Sequence, residues 1–358
     1  MVFNIIGGIW YTCTGFIMEL VELARSGLCL SPVGMGTAPM VTRVHGPERV
    51  DLVRRVVDLG VNWFDTARRY ADAETVLGAA LKGIRDRIII VTKSGAHDPA
   101  MLTEHINESL RQLKTDYVDV FLFHGGGAVK NEAFGQVGGL LETVEDARRA
   151  GKIRFLGFSA HSEELACTAI EVESFDFAMV PANFISTRYI DGPFMDAARE
   201  RDVTVFAMKP FGGGRIEAPR LCLNFLKQYP GLMPCVGVDR VDQMEENLRI
   251  WEDSAELNAN DLREIDRIRN ELDENFCRQC GYCLPCPQGV PIISMNLMEA
   301  WVKQLSPEAL AGVHSGGVEK ARECVECREC VEKCPYDLPI PELLKDGIEL
   351  FERTTAEA

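Results

Sequence analysis

Four residues of types that can move protons stand at or near the ends of apolar runs in the N-terminal part of the chain. Asp65 follows the run VNWF, Lys93 follows IIIVT, His124 follows VFLF, and Tyr70 lies five residues after Asp65. If these runs are parallel strands of a barrel, their carboxyl ends share one face and the four side chains meet there. Each residue alone also has a structural interpretation, as a helix cap, a solvated loop residue or the end of a strand.

Together, these four residue types fit proton transfer to a carbonyl oxygen. A tyrosine hydroxyl titrates near ~10 when unperturbed. We expect a buried Lys93 ammonium to lower the pKa of Tyr70, and the Asp65 carboxylate to keep Lys93 charged. A neutral His124 imidazole could orient a carbonyl oxygen toward the Tyr70 hydroxyl. The set therefore predicts general acid–base catalysis.

The second chemical signal lies in the cysteines, because eight of the 13 fall in two runs, CRQCGYCLPCP (277–287) and CVECRECVEKCP (324–335). The second run has the C-x2-C-x2-C-x3-C-P spacing of bacterial ferredoxins, in which the fourth cysteine binds the other cluster. The spacing predicts two 4Fe–4S clusters, with these ligands: Cys277, Cys280, Cys283 and Cys334 for the first, and Cys324, Cys327, Cys330 and Cys286 for the second. The first run has a shorter last gap, so a single cluster stays open, and zinc is the alternative for C-x2-C pairs.

The elements that must position the four proton-transfer residues are eight β-rich apolar runs that alternate with amphipathic helical patterns. The runs occupy 28–36, 61–66, 88–94, 117–125, 153–160, 177–184, 203–210 and 234–238. This alternation predicts an α/β fold, a (β/α)8 TIM barrel of parallel strands buried on both faces. A doubly wound sheet is the alternative, but no run is followed by the G-x-G-x-x-G turn that such folds use for dinucleotides.

The chain divides into three predicted regions. Residues 1–17 form an N-terminal extension that lacks the positively charged n-region of a signal peptide. Met18 is a candidate start of the barrel domain. Residues 18–260 form the barrel. Residues 261–358 begin with a helical linker (261–274) and continue as a small, mainly helical ferredoxin-like iron–sulfur domain, with a helical pattern at 295–305 between the cysteine runs.

Composition narrows the classes of partner. With 54 acidic and 38 basic residues the net charge is −16, which argues against nucleic acid or an anionic membrane as the main partner. The apolar start is too short and too interrupted by glycine for a membrane span. We therefore expect a cytoplasmic protein that acts on a small molecule.

Five segments resemble the motifs of the aldo-keto reductase superfamily: FDTARRYADAE (64–74), VTKSG (91–95), DYVDVFLFHG (116–125), GKIRFLGFSA (151–160) and MKPFGGG (208–214). The resemblance covers about 18–258, and the two-domain layout resembles the ferredoxin-fused branch. It implies reduction of an aldehyde or ketone with NADPH or NADH, or the reverse alcohol oxidation. It also implies that Tyr70 is the general acid of a tetrad that Asp65, Lys93 and His124 complete.

The same resemblance implies a set of cofactor-binding positions, with some departures from the family pattern. Ala160 stands where many members have asparagine, Met179 where a glutamine holds the carboxamide, and Met208 where an aromatic ring stacks on nicotinamide. Asp239 would repel a 2′-phosphate and Arg240 is the only nearby cation, so NADPH against NADH stays open. The implied positions are Ser159, Asn183, Met208, Gly212, Gly213, Arg240, Gln243, Glu246 and Asn247.

Three hypotheses of function follow. The first is a carbonyl reductase or alcohol dehydrogenase whose clusters are structural or sense redox state. The second is an iron–sulfur electron-transfer protein whose barrel binds an organic substrate or a partner that exchanges electrons with the clusters. The third, a binding scaffold, is disfavoured by the complete tetrad. The sequence leaves the substrate open, although His97, His161 and Arg188 could reach a polar one.

Overall fold

The computed structural model describes residues 9–11, 17–23, 25–125, 134–172, 174–253, 256–272, 275–278 and 281–356. The chain divides into two compact units, Met1–Asp261 and Leu262–Ala358. None of the helices within those described ranges is long and apolar enough to cross a membrane.

Eight parallel strands close a barrel in the first unit, which confirms the predicted (β/α)8 fold. Each strand pairs in parallel with the next one along the chain, and the last strand pairs with the first. The strands are β5 (Gly34–Gly36), β6 (Trp63–Asp65), β7 (Ile89–Ser94), β8 (Val118–Phe123), β9 (Ile153–Ser159), β10 (Phe177–Pro181), β11 (Thr204–Met208) and β12 (Leu232–Gly237).

Amphipathic helices connect the strands. In the helix that follows β7, the Asp98 side chain accepts a hydrogen bond from Met101 N at 2.8 Å, Pro99 starts the helix, and the buried face includes Leu102 and Ile106. The helices are α1 (Ala38–Arg43), α2 (Glu48–Asp58), α3 (Ala73–Ala80), α4 (Pro99–Leu113), α5 (Leu140–Arg149), α6 (Glu163–Ala169), α7 (Pro193–Glu200), α8 (Pro219–Lys227), α9 (Val241–Asp253) and α10 (Ala259–Leu272), with a 3-10 turn at Arg85–Arg87.

The predicted first strand, 28–36, is wrong as a single element. Its first part, β4 (Cys29–Leu30), pairs antiparallel with β3 (Val21–Glu22), and only its last part enters the barrel as β5. The break falls at Ser31, whose backbone N–H donates to Asn62 Oδ1 at 2.7 Å, and at Pro32, which has no N–H to donate. A further antiparallel pair, β1 (Ile9–Tyr11) with β2 (Ile17–Glu19), lies in and beside the region predicted as an extension.

The barrel interior is filled by large side chains and leaves the chemistry to its rim. The rings of Trp63 and Phe206 stack with centroids 4.7 Å apart. Gly34 lies against Trp63 so closely that a Cβ there would meet Trp63 Cε2 at 2.0 Å. Leu28 and Leu30 pack into the same core. Barrels filled in this way carry their sites at the carboxyl ends of the strands.

The second unit is helical, as predicted. Its core joins buried aliphatic side chains such as Leu310 and Leu344 to three of the cysteines. The helical pattern at 295–305 corresponds to the end of one short helix and a second one. After α10, the helices are α11 (Ile292–Met295), α12 (Met298–Gln304), α13 (Pro307–Ala321), α14 (Glu329–Glu332) and α15 (Ile340–Thr355).

Candidate functional site

The structure brings the four predicted proton-transfer residues together at the ends of three neighbouring strands. Asp65 is the last residue of β6, Lys93 is the second-last residue of β7, and His124 directly follows β8. The loop after β6 runs over the end of β7, because Arg68 N donates to Lys93 O at 3.0 Å. This course of the loop carries Tyr70 to the same place.

Asp65 and Lys93 form a buried ion pair. Lys93 Nζ donates to Asp65 Oδ1 and, at 2.8 Å, to the carbonyl oxygen of Thr66. The two side chains are only 7% and 2% exposed. Burial, the largest single influence, would lower the pKa of Lys93. The charge of Asp65, its hydrogen bond and the neighbouring Tyr70 together outweigh burial, so the pKa of Lys93 is raised. Lys93 is therefore a fixed positive charge at neutral pH.

Tyr70 lies between this charge and His124. Lys93 Nζ is 5.1 Å from the centroid of the Tyr70 ring, and the His124 ring meets the Tyr70 ring edge-on at 6.0 Å. The expectation of a lowered tyrosine pKa is wrong. Burial raises the pKa of Tyr70 by more than Lys93 lowers it, because a phenolate loses more hydration than one nearby ammonium replaces. Tyr70 consequently holds its proton at neutral pH.

His124 is a neutral imidazole, as predicted. Burial first, then the charges of Lys93 and Arg69, lower the pKa of His124 to about 3. Its Nδ1 atom is buried and has no hydrogen-bond partner among the described residues. A protonated hydroxyl, a fixed ammonium and a neutral imidazole in one place can donate a proton to a bound oxygen and stabilise the phenolate that remains.

A buried carboxylate behind the site supports the Tyr70 loop and was missed by the sequence reasoning. Glu74 is 1% exposed, forms a salt bridge with Arg68 and accepts a hydrogen bond from Thr92 Oγ1 at 2.7 Å. Thr92, one of its partners, lies 18 residues further along the chain on β7, and the local sequence carries no signal for this pairing.

Two of the polar cofactor-binding candidates already bind other parts of the chain. Ser159 Oγ accepts from Gly125 N at 3.0 Å. The Asn183 amide accepts from the backbone N–H groups of Ile185 and Ser186 at 2.9 Å, and donates to Lys209 O at 2.9 Å. These side chains therefore shape the loops after β8, β10 and β11.

The methionine candidates have different environments. Met208 is half-buried at the end of β11, where it lies in register with Cys235 on β12. Met179 is 1% exposed and packs in the barrel core. The sequence reasoning left Cys235 among the scattered cysteines. It lies close enough to Asp65 and Lys93 for their charges to act on it, and burial raises the pKa of its thiol well above the ordinary value.

The remaining cofactor-binding candidates lie on the loops after β11 and β12. Gly212 and Gly213 have positive φ angles of 57° and 72°, a conformation that favours glycine. Gln243 Oε1 accepts from the backbone N–H groups of Asp239 and Arg240 at 3.0 and 3.3 Å. On α9, Asn247 is buried and Glu246 is exposed.

Arg240 is not the only cation near Asp239, which corrects the sequence reading. Arg43 Nη1 lies 3.2 Å from Asp239 Oδ2, although 196 residues separate the two along the chain. Arg240 instead pairs with Asp242 at 3.0 Å. Closure of the barrel between β5 and β12 explains the contact with Arg43, since it makes the first and last strands neighbours.

Of the three residues considered for substrate contact, His161 is an electrostatic neighbour of the tetrad residue His124. Burial, then Lys209 and His124, lower the pKa of His161 well below its ordinary value, so it remains neutral. His97 and Arg188 are exposed.

In the second unit, cysteines line two cavities. Cys277, Cys283 and Cys334 line the first, with Arg278 beside them. The second cavity is lined by Cys283, Cys286, Cys324, Cys327 and Cys330. The predicted ligand Cys280 lies outside the described residues.

The two cavities differ in exposure. The three described cysteines proposed for the first cluster are each less than 9% exposed, whereas Cys327 at the second cavity is exposed. No described group of three His, Cys, Asp or Glu residues is placed to hold a single metal ion. A 4Fe–4S cluster takes its four thiolates at four irons, so thiols around a cavity are the donor set it needs.

Comparison with known proteins identifies both units. Residues 32–220 match the sequence model of the aldo/keto reductase family, and residues 276–338 match that of a 4Fe–4S dicluster domain. The first match covers more than half of the 358 residues. The chain therefore belongs to the aldo/keto reductase family, a family of oxidoreductases, and its second unit is an iron–sulfur domain. Both results confirm the sequence prediction.

Individual proteins are also similar to this chain. The chain is 27% identical over 220 residues to 6-dehydroglucose reductase of Novosphingobium aromaticivorans, and the aligned region covers 56% of this chain and 71% of that protein. It is 32% identical over 161 residues to L-galactose dehydrogenase of Arabidopsis thaliana, which covers 40% of this chain and only 48% of that protein. An aldo-keto reductase of Klebsiella pneumoniae, solved in complex with NADPH, has the same fold, with a TM-score of 0.59, 23% identity, and coverage of 71% of this chain and 95% of that one.

Proposed function

We propose that the barrel reduces an aldehyde or ketone with NADPH or NADH, or oxidises the corresponding alcohol, and that Tyr70 is its general acid and base. The observation that carries this proposal is the arrangement of Tyr70 beside the Lys93 ammonium and the neutral His124 imidazole. Membership of the aldo/keto reductase family supports the reaction class.

The residues divide the work as follows. Tyr70 donates its hydroxyl proton to the carbonyl oxygen, and in the reverse direction takes it back. Lys93 stabilises the phenolate, and Asp65 keeps Lys93 charged within the buried pair. His124, neutral and partly buried, holds the substrate oxygen toward Tyr70 by a hydrogen bond. A bound reduced nicotinamide supplies the hydride.

We place the dinucleotide along the carboxyl ends of the later strands. Met208 offers an apolar surface for the nicotinamide, and Ser159 and Asn183 fix the loops on either side. Gly212 and Gly213 let the backbone approach the pyrophosphate closely. The turn that Gln243 holds would bind the adenosine end, together with the α9 positions Glu246 and Asn247 and with Arg240.

For the iron–sulfur domain we propose one cluster per cavity. Cys277, Cys280, Cys283 and Cys334 bind the first cluster, and Cys324, Cys327, Cys330 and Cys286 bind the second. The grouping of the described cysteines around two cavities supports this division. When bound, such clusters transfer one electron at a time.

A second candidate function is electron transfer between the clusters and a partner protein. The exposure of Cys327 favours it, because a cluster bound there lies at the surface. The substrate in either case is a small molecule, and we propose that the protein works in the cytoplasm.

The test is Tyr70→Phe in the cluster-loaded protein, assayed with NADPH and NADH against a panel of aldehydes. We expect the rate to fall by about 100-fold or more, since general acid–base catalysis contributes on that order, with unchanged iron content. Tyr117→Phe is the matched control, because Tyr117 packs against Arg85 away from the tetrad. Full activity in Tyr70→Phe would refute the assignment. Anaerobic titration with each nucleotide, followed by visible absorbance and EPR, tests whether electrons reach the clusters.

A further inference from the structure

Arg43 stands between the two loops to which the proposed function assigns the dinucleotide. Its Nη1 atom lies 3.2 Å from Asp239 Oδ2, in the turn after β12. Its Nη2 atom lies 3.8 Å from the position that a Cβ of Gly214 would occupy, in the loop after β11. The side chain comes from the end of α1, a helix outside both loops.

The contact leaves Arg43 able to bind an anion. The Arg43 side chain is 45% exposed, and Asp239 is 17% exposed. A guanidinium carries five N–H donors in a planar fork, and the hydrogen bond to Asp239 uses one nitrogen, Nη1. The remaining edge suits a phosphate, which guanidinium groups bind through paired hydrogen bonds.

Asp239 makes a nearby cation necessary for a phosphate ligand. An unneutralised carboxylate at this turn would repel a phosphate. Arg240, the next residue, is turned to Asp242 at 3.0 Å. Arg43 therefore supplies the positive charge that this turn does not supply by itself.

We propose that Arg43 is the phosphate-binding cation of the nucleotide site and that Asp239 is its internal competitor, which holds the guanidinium until a dinucleotide phosphate takes it over. This inference rests on the proposed function and deepens it, because it names a residue that sets the affinity for the nucleotide. The phosphate concerned is either the pyrophosphate or the 2′-phosphate, and the experiment separates the two.

The experiment measures the dissociation constants of NADPH and NADH for the full-length, cluster-loaded protein and for Arg43→Gln and Asp239→Asn. Arg199→Gln is the matched control, since Arg199 is a half-exposed arginine paired with Asp196 at 3.3 Å on α7. We expect Arg43→Gln to weaken NADPH binding by about tenfold or more, the effect of one charge-assisted hydrogen bond. Asp239→Asn should tighten it several-fold, and the control should match wild type.

The two nucleotides distinguish the phosphates. A loss confined to NADPH identifies the 2′-phosphate, and an equal loss for both identifies the pyrophosphate. Circular dichroism and iron content establish that each variant folds, and Arg43→Lys, which keeps the charge but not the fork, should bind with intermediate affinity.

Two outcomes overturn the inference. In the first, Arg43→Gln binds both nucleotides within twofold of wild type. In the second, Asp239→Asn binds NADPH more weakly than wild type, so that Asp239 is no competitor. If the wild-type protein binds neither nucleotide, the proposed function itself fails. If wild type binds a nucleotide and Arg43→Gln binds it equally well, only the inference about Arg43 fails.

Discussion

Replacement of Asp65 by asparagine is the sharpest perturbation of the proposed site, because it leaves the Lys93 ammonium buried without its counter-ion. The lysine side chain is 2% exposed and keeps only the Thr66 carbonyl oxygen, at 2.8 Å, as a backbone acceptor. Removal of one partner from a buried ion pair destabilises proteins by about 3–5 kcal/mol. Since an asparagine oxygen can still accept a hydrogen bond, we expect the lower end, about 3 kcal/mol.

The dependence of this loss on pH identifies its cause. In wild type the pKa of Lys93 is raised, so the stabilisation is complete below the ordinary lysine value of ~10.4 and is lost only as pH rises through the higher folded value. Asp65→Asn removes the main influence that opposes burial, and we expect the pKa of Lys93 to fall below its ordinary value. Between that lowered value and ~10.4 the unfolded state binds more protons, so the variant gains up to ~1.4 kcal/mol per pH unit relative to wild type. The difference in free energy of unfolding between Asp65→Asn and wild type therefore becomes smaller as pH rises.

Lys93→Met should show the opposite trend. The buried Asp65 carboxylate then lacks its cation, and burial already raises the pKa of Asp65. When the pKa of a carboxyl group is higher in the folded state, stability falls as pH rises from the ordinary value of ~3.9. The difference in free energy of unfolding between Lys93→Met and wild type therefore becomes larger as pH rises. The double variant carries neither charge, so its loss of stability relative to wild type should not depend on pH through this pair. That loss should be smaller than the sum of the losses in the two single variants.

The assay is hydrogen–deuterium exchange of peptides from β6 and β7, which reports the opening free energy of the barrel separately from the iron–sulfur domain. Variants are compared with wild type at several pH values between about 6 and 9, after correction for intrinsic exchange. A loss below about 1 kcal/mol with parallel pH curves for all variants would mean that the pair is solvated, and the reasoning would fall.

Three further predictions concern other parts of the chain. Because the pKa of His124 is about 3, carbonyl reduction should show no histidine titration between pH ~5 and ~9; an inflection near ~6.5 would contradict this. Cys327→Ser should lose about half of the iron and acid-labile sulfide, since it removes a proposed ligand of one cluster of two, and retention of all the iron would reject that ligand set. Gly34→Ala should lower the melting temperature of the barrel by several degrees, because a Cβ would lie 2.0 Å from Trp63, whereas Gly95→Ala, with open space around it, should not; equal melting temperatures would contradict the close packing.

The sequence predicted the barrel and the position of the tetrad because both depend on local patterns. Apolar runs mark the strands, and polar residues at the ends of those runs mark the rim where chemistry occurs. The error in the predicted strand 28–36 arose because the backbone of Cys29 and Ser31 forms hydrogen bonds with the Asn62 side chain, and only the folded chain reveals these contacts.

Energetic properties of the site could not be read in the same way. The direction of the Tyr70 shift depends on how much burial opposes one nearby ammonium, and sequence gives the neighbour but not the burial. The contacts of Arg43 with Asp239 and of Arg68 with Glu74 depend on how the barrel closes and how its helices pack. Charge partners of this kind decide which ligand a site accepts, although they carry no motif.

The two units offer chemistries that differ in the number of electrons moved. A hydride carries two electrons, whereas a 4Fe–4S cluster takes one. In the mechanism that we propose, Tyr70 donates the proton and Lys93 supplies the fixed charge, so that mechanism needs no proton from the iron–sulfur domain. The cavities are unequal, with Cys277 and Cys334 buried and Cys327 exposed. A cluster held at the second cavity would therefore have a ligand exposed to solvent, where a one-electron carrier could approach it. The order in which the two clusters accept electrons from a chemical reductant, resolved by EPR, thus bears directly on whether the iron–sulfur domain is a conduit or a structural attachment.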